Sequence, residues 1–181
     1  MNRYAAFLRG IMPTNPNMKN EKLRGVFEGL GFERVGSLLT SGNVYFDSPE
    51  TDVPALEDRI QHALQAELGI GGGTLIRSRE QLRELVDTNP FPGLTHCRET
   101  YLTVTFVKDP EAGPPAKPSD TLAEAVSIVR YDRPAAAILT IVDNSDPRTT
   151  TFMAWLEKTY GKDITTRTYL TVERTLKKLE S

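Results

Sequence analysis

Two hydrophobic patterns alternate along the chain. Tyr4-Ala5-Ala6-Phe7-Leu8 is apolar at every position, which predicts a strand covered on both faces. From about Asn20 to Leu30 the period lengthens. Leu23, Val26, Phe27 and Leu30 fall on one side of a helix, and Glu21, Lys22, Arg24 and Glu28 fall on the other. Gly31 follows, where a helix end takes a left-handed residue. Runs near Arg34–Leu39 and Asn43–Phe46 read as strands. Ser41-Gly42-Asn43 joins them in a tight hairpin, because Gly and Asn tolerate positive φ. Asp52 can cap the next helix, with Pro54 in its first turn, Leu56, Ile60, Ala63 and Leu64 turned inward, and Gly69 at its end. Thr74–Arg77 is a short strand. Ser78-Arg79-Glu80-Gln81 has the form of a capping box and opens a helix that carries Leu82, Leu85 and Val86 inside.

The same order of elements then returns. Asn89-Pro90-Phe91-Pro92-Gly93 stops the helix, and the irregular strip to Glu99 marks the internal boundary. Tyr101–Val107 is a strand, Asp109–Ser119 is a loop with four prolines, and Thr121–Ser127 reads as a short helix capped by Ser119 or Asp120. Strands at Ile128–Tyr131 and Ala135–Val142 flank an Asp132-Arg133-Pro134 turn. A helix from Thr149 or Thr150 should bury Phe152, Trp155 and Leu156. Ile164–Arg167 is a last strand, and Thr168 caps a helix with Val172, Leu176 and Leu179 inward. Arg77-Ser78 before one helix matches Arg167-Thr168 before the other, and Leu82 matches Val172 at equal spacing. The expected fold is α+β: two tandem ferredoxin-like βαββαβ units, each with an added helix, over residues 1–92 and 93–181, packed into one compact body. An ancient duplication and a chance recurrence of a common order both lead to this architecture.

Composition narrows the classes without choosing one. With 181 residues, 39% hydrophobic and 25% charged, the chain can bury a real core and is not a disordered segment. Its longest apolar runs fall well short of a membrane span, and the start leads straight into a strand, so neither a membrane nor a secretory role is expected. The single cysteine, Cys97, cannot form an internal disulfide, which fits a reducing, cytoplasmic setting. A net charge of -2 argues against a nucleic-acid partner. Gly42-Asn43-Val44-Tyr45-Phe46 has a faint likeness to the aromatic third strand of RNA-recognition domains. Only Tyr45 is in register there, and Asn43 stands where a second aromatic belongs.

Most candidate chemistry has a plainer structural use. Gly71-Gly72-Gly73 leads from a helix into a strand, the reverse of a phosphate loop, and reads as a turn. His96-Cys97 are neighbours on an extended chain and point apart, which disfavours a nucleophile–base pair. His62 lies off the apolar stripe of its helix, and two histidines with one cysteine make no metal set. Asp143-Asn144-Ser145-Asp146 lacks the glycine and glutamate of a calcium loop. No cofactor is implied. The loop after Arg9-Gly10 differs, because there a strand end runs into a helix N-terminus, the right order for an anion. Arg9, Gly10, Asn20, Ser41 and Asn43 are the candidate residues for a small anionic ligand. Asn15, Asn17 and Lys19 stand nearby in the same loop, and the asparagines serve equally well as caps and turns. An enzyme working in the same cleft and a protein-interaction module are the alternatives.

These blocks also carry a resemblance. Leu8-Arg9-Gly10-Ile11, Leu23-Arg24, Leu30-Gly31-Phe32, Ser41-Gly42-Asn43-Val44 with Phe46, Asn89-Pro90-Phe91, and Arg167-Thr168-Tyr169 with Thr171-Val172 together resemble the domain of unknown function 1697 family, which is mainly bacterial. The chain departs from that family at Met12-Pro13-Thr14, where Asn and glycines are usual, and at Thr168-Tyr169, where Asn-Trp is usual. The resemblance implies a duplicated ferredoxin-like fold and brings no activity, cofactor or catalytic residue with it.

Overall fold

In the computed structural model, which describes residues 1–181, β1 (Asn2–Leu8) is buried at every position from Arg3 to Leu8. It pairs antiparallel with β3 (Asn43–Ser48) on one side and with β4 (Thr74–Ser78) on the other. The outer strand β2 (Glu33–Leu38) pairs with β3, so the first sheet has the order β2-β3-β1-β4. Tyr4, Ala6 and Leu8 alternate onto the face that meets α1 (Asn20–Gly29) and α2 (Val53–Leu68). There they join Val44, Phe46 and Ile76 against Leu23, Phe27, Leu56, Ile60 and Leu64. Phe46 is the hub, with ring centroids of Phe32, Phe27 and Tyr4 at 4.5, 5.4 and 5.6 Å. Ala5, Phe7 and Leu75 on the opposite face are buried as well, as the continuous apolar run of β1 predicts.

The second sheet contains β5 (Tyr101–Val107), β6 (Val126–Asp132), β7 (Ala137–Val142) and β8 (Ile164–Thr168). Its order is β6-β7-β5-β8, so the strands follow the same path in both sheets, and every pairing is antiparallel. Val107, Ile138, Val142 and Ile164 pack with Phe152 and Leu156 of α5 (Phe152–Tyr160) and Leu122 of α4 (Asp120–Ala123). Buried threonines run through this layer. Thr103 bonds Thr140, and Thr105 bonds Thr166 at 2.8 Å, so each buried hydroxyl has a partner. Mixed α and β elements, two four-stranded antiparallel sheets and six helices make up the fold.

The remaining helices are α3 (Arg79–Asp87) and α6 (Tyr169–Leu179), each following the last strand of a sheet. Packing divides the chain into two units, Met1–Glu80 with Arg174–Ser181, and Gln81–Glu173. Thr168 caps α6 as expected, its Oγ1 accepting from Thr171 N at 3.2 Å, and Val172, Leu176 and Leu179 are buried. In the first unit Arg3 holds the end of α6. Its Nε donates to Leu179 O at 2.9 Å and its Nη1 to Asp47 at 2.6 Å.

Two local expectations change. The helix expected over 121–127 is a single turn, Asp120–Ala123, and Val126 and Ser127 belong to β6. Their pairing with Val142 and Ile141 outweighs a helix too short to gain from propagation. The helix expected from Thr149 begins as a 3-10 turn, Pro147–Thr151, capped by Asp146, and becomes α-helical only at Phe152. Phe152 and Leu156 then form the buried stripe, while Trp155 lies half-buried on its flank.

Candidate functional site

The ladder between β1 and β4 dictates the geometry at the end of β1. Leu8 faces Thr74, so Arg9 must face Gly73 and Gly10 must face Gly72. Arg9 N–H donates to Gly73 O at 2.9 Å, one step beyond the last strand pair. A Cβ on Gly72 would stand 1.9 Å from Arg9 O, which no residue but glycine allows. Within the stretch that leads from α2 into β4, Gly72 is therefore the site of a close backbone approach. Gly10 itself has φ +81°, so it too needs the left-handed region.

The hairpin closes the other side of this strand end. Leu8 N–H donates to Gly42 O at 2.8 Å. Gly42 has φ +85°, and a Cβ there would stand 2.5 Å from Ile11 Cγ1, in the loop that follows Gly10. Asn43 is buried, and its Nδ2 donates to Leu38 O and to Ser41 Oγ, both at 3.0 Å. The amide thus braces the turn from inside. Asn20, the first residue of α1, donates from Nδ2 to Leu39 O at 2.5 Å and ties the helix start to the same turn.

The five sequence-predicted residues thus gather at one end of the first sheet, in distinct situations. Ser41 and Asn43 have bonds that hold the hairpin, and Gly10 shapes the backbone. Arg9 is half-buried. Asn20 is unusual, because its Oδ1 is buried and meets no donor from the protein. The helix start beside it takes no capping side chain from Lys19, whereas Asp52, Ser119 and Thr168 cap α2, α4 and α6. Of the other loop asparagines, Asn15 Oδ1 accepts from Asn17 N–H at 2.9 Å and Asn17 Oδ1 accepts from Lys22 Nζ at 3.1 Å. Both act as turn and tether.

Several polar groups elsewhere are committed to structure. The ring of His96 accepts from Leu102 N–H through Nδ1 at 3.1 Å and lies 4.5 Å from the Tyr101 ring, so it serves the start of β5; Cys97 is exposed. Tyr45 is covered by the Arg3 guanidinium, 5.5 Å from its centroid, and its ring fills the space where a side chain on Gly36 would stand. No three His, Cys, Asp or Glu side chains converge as a metal would require. No helix is long and apolar enough to cross a membrane. On the outer edge of β4, buried Glu57 accepts Ile76 N–H at 2.8 Å and Arg77 donates to Ile76 O at 2.7 Å. These bonds satisfy ladder groups that point away from β1. Arg167 does the same for Thr166 O at 3.0 Å; burial pulls its pKa down to about 10, so it stays charged at neutral pH.

Sequence reasoning found the hairpin, the strand end and the helix start. It read Gly71-Gly72-Gly73 as a turn and missed the close approach of Gly72 to Arg9, which follows from the β1–β4 register. It also missed Arg3 and Asp47, which look like ordinary surface charges until β1 and β3 pair.

The fold and this strand end place the chain among mixed α and β proteins built on two four-stranded antiparallel sheets of one strand order. Residues 1–133 match the family described as protein of unknown function DUF1697, and the chain belongs to that family. No curated protein matches it. Among solved structures it is similar to a conserved bacterial protein, SP0830, from Streptococcus pneumoniae, at 17% identity. That likeness covers 100% of this chain and 99% of the other with a TM-score of 0.69, and at such identity it speaks for the fold alone.

Proposed function

We propose that the protein binds a small anionic ligand at the end of β1, where Arg9, Gly10 and the start of α1 meet the Ser41-Gly42-Asn43 turn. The observation that carries this reading is Asn20: a buried acceptor without a protein donor, at the first residue of an uncapped ten-residue helix. The first-turn N–H groups favour negative charge. Oδ1 favours a donor, because a buried acceptor left unmatched costs about 1–3 kcal/mol. A phosphate or carboxylate compound that also carries a hydroxyl meets both demands. Arg9 supplies a guanidinium suited to either anion.

A thermal-shift panel of inorganic phosphate, glycerol 3-phosphate and citrate tests this on wild type, Arg9→Ala and Asn20→Ala. A saturable rise in Tm in wild type, lost in a folded Arg9→Ala variant, is expected. The hydroxyl-bearing compounds should outperform phosphate in wild type but not in Asn20→Ala. No response of wild type to any of the three would overturn the proposal.

The same reading takes residues 1–92 and 93–181 as copies of one ferredoxin-like βαββαβ unit. The register supports it. Arg77 faces Ala5 and Arg167 faces Val104, each as the fourth residue of its strand and each donating to the preceding carbonyl. A crystal structure in which the two arginines fall out of register on superposing the sheets would count against duplication.

A further inference from the structure

We propose that a groove in the second unit is a binding site for a planar, apolar anion, such as an aromatic carboxylate, sulfonate or phosphate. This is independent of the strand end described above. The groove has a volume of about 670 Å³, within the range of small-molecule sites. It lies between α4, the outer side of α5 and the last part of the proline-rich loop. Trp155 and Leu122 provide apolar wall, Lys117 enters from the loop and Lys158 from α5, and no Asp or Glu lines it.

The charge is local and available. In a chain of net charge -2 these two lysines stand together at one cavity. Nearby Arg148 is neutralised by Glu124 and Asp146, whereas Lys117 and Lys158 take part in no ion pair. Trp155 is only half-buried, its ring tilted against Phe152 with centroids 5.9 Å apart. An indole that packs against Phe152 and lines the cavity offers a surface on which an aromatic ring can stack. Two lysines beside it favour an aromatic ring that bears negative charge.

The wall that carries Lys117 is held in place. Tyr131 Oη donates to Pro110 O at 2.7 Å, Tyr160 Oη donates to Gly113 O at 2.8 Å, and Arg133 pairs with Glu111 at 2.9 Å. At the far end Ser119 accepts from Leu122 N–H at 3.4 Å. A loop tethered at both ends, with four prolines between Asp109 and Ser119, loses little freedom when a ligand enters.

Trp155 is the single tryptophan, so all indole emission comes from this groove. The test titrates the whole chain with 1-anilinonaphthalene-8-sulfonate, with the neutral N-phenyl-1-naphthylamine, and with inorganic phosphate. The expected result is saturable quenching by the sulfonate at one equivalent, at least tenfold weaker binding of the neutral analogue, and no quenching by phosphate. A Lys117→Ala/Lys158→Ala variant of unchanged circular dichroism should bind the sulfonate at least tenfold more weakly. Arg9→Ala should bind it as wild type does, which separates this site from the one at β1. The proposal is overturned by unsaturable quenching, by equal affinity for the charged and neutral rings, by quenching with phosphate alone, or by indifference to the lysine pair.

Discussion

Replacing Arg3 with methionine should loosen the end of α6 and cost about 3–5 kcal/mol of stability, the range for breaking a buried ion pair from one side. The side chains of Arg3 and Asp47 are each 8% exposed and meet at 2.6 Å, so the substitution strands a buried carboxylate. Arg34 also approaches Asp47, at 3.4 Å, but its side chain is 59% exposed and should recover only about 0–1 kcal/mol. The bonds from Arg3 to Leu179 O at 2.9 Å and Lys178 O at 3.3 Å are lost too, near 1 kcal/mol for the shorter one. Methionine keeps most of the packing over Tyr45, so the loss reads out charge and hydrogen bonding rather than volume. Urea unfolding followed by circular dichroism measures the change. Arg34→Ala is the control and should cost under about 1 kcal/mol. An Arg3→Met/Asp47→Leu double variant should show a coupling of about 2 kcal/mol or more. A loss below about 1 kcal/mol for Arg3→Met, or a coupling near zero, would refute the reasoning, and α6 would then be held by its apolar face alone.

Gly72→Ala should destabilise by about 2 kcal/mol or more in the same assay, because a Cβ 1.9 Å from Arg9 O forces the backbones apart; a loss under about 0.5 kcal/mol would show that the approach is not needed. Tyr160 gives a pH dependence. Burial first, and the neighbouring Tyr131 next, push its phenol from 10.0 up to about 12. The neutral phenol is therefore favoured in the folded protein, and its contribution is full below pH 10 and lost as pH rises to about 12. The stability difference between wild type and Tyr160→Phe should shrink across that window; a constant difference would mean that Tyr160 does not titrate there.

Features legible in the sequence and features hidden from it divide along a physical line. Tyr4–Leu8, the stripe of Leu23, Val26 and Phe27, and the Thr168 cap are local patterns, and they stand where the spacing puts them. The short helix near Thr121 ends early because strand pairing with β7 claims Val126. Trp155 is only half-buried because Phe152 and Leu156, one turn apart on α5, take the centre of the buried stripe and leave the indole on its flank. Gly72 and the Arg3–Asp47 pair are products of strand register, and Arg3 and Asp47 lie 44 residues apart. The candidate residues are recognisable as a group because Arg9, Asn20 and the turn each end an element. Their separate duties depend on which side-chain atoms meet, and only the folded packing decides that.

The most direct test of ligand binding at the end of β1 is an NMR titration of the 15N-labelled protein with glycerol 3-phosphate. The amides of Asn20, Glu21 and Lys22 should shift in a saturable way, together with those of Gly10 and Gly42 and the side-chain amide of Asn20. Arg9→Ala should abolish the response while the rest of the spectrum stays folded. Shifts confined to other residues, or none at all at millimolar ligand, would contradict the account.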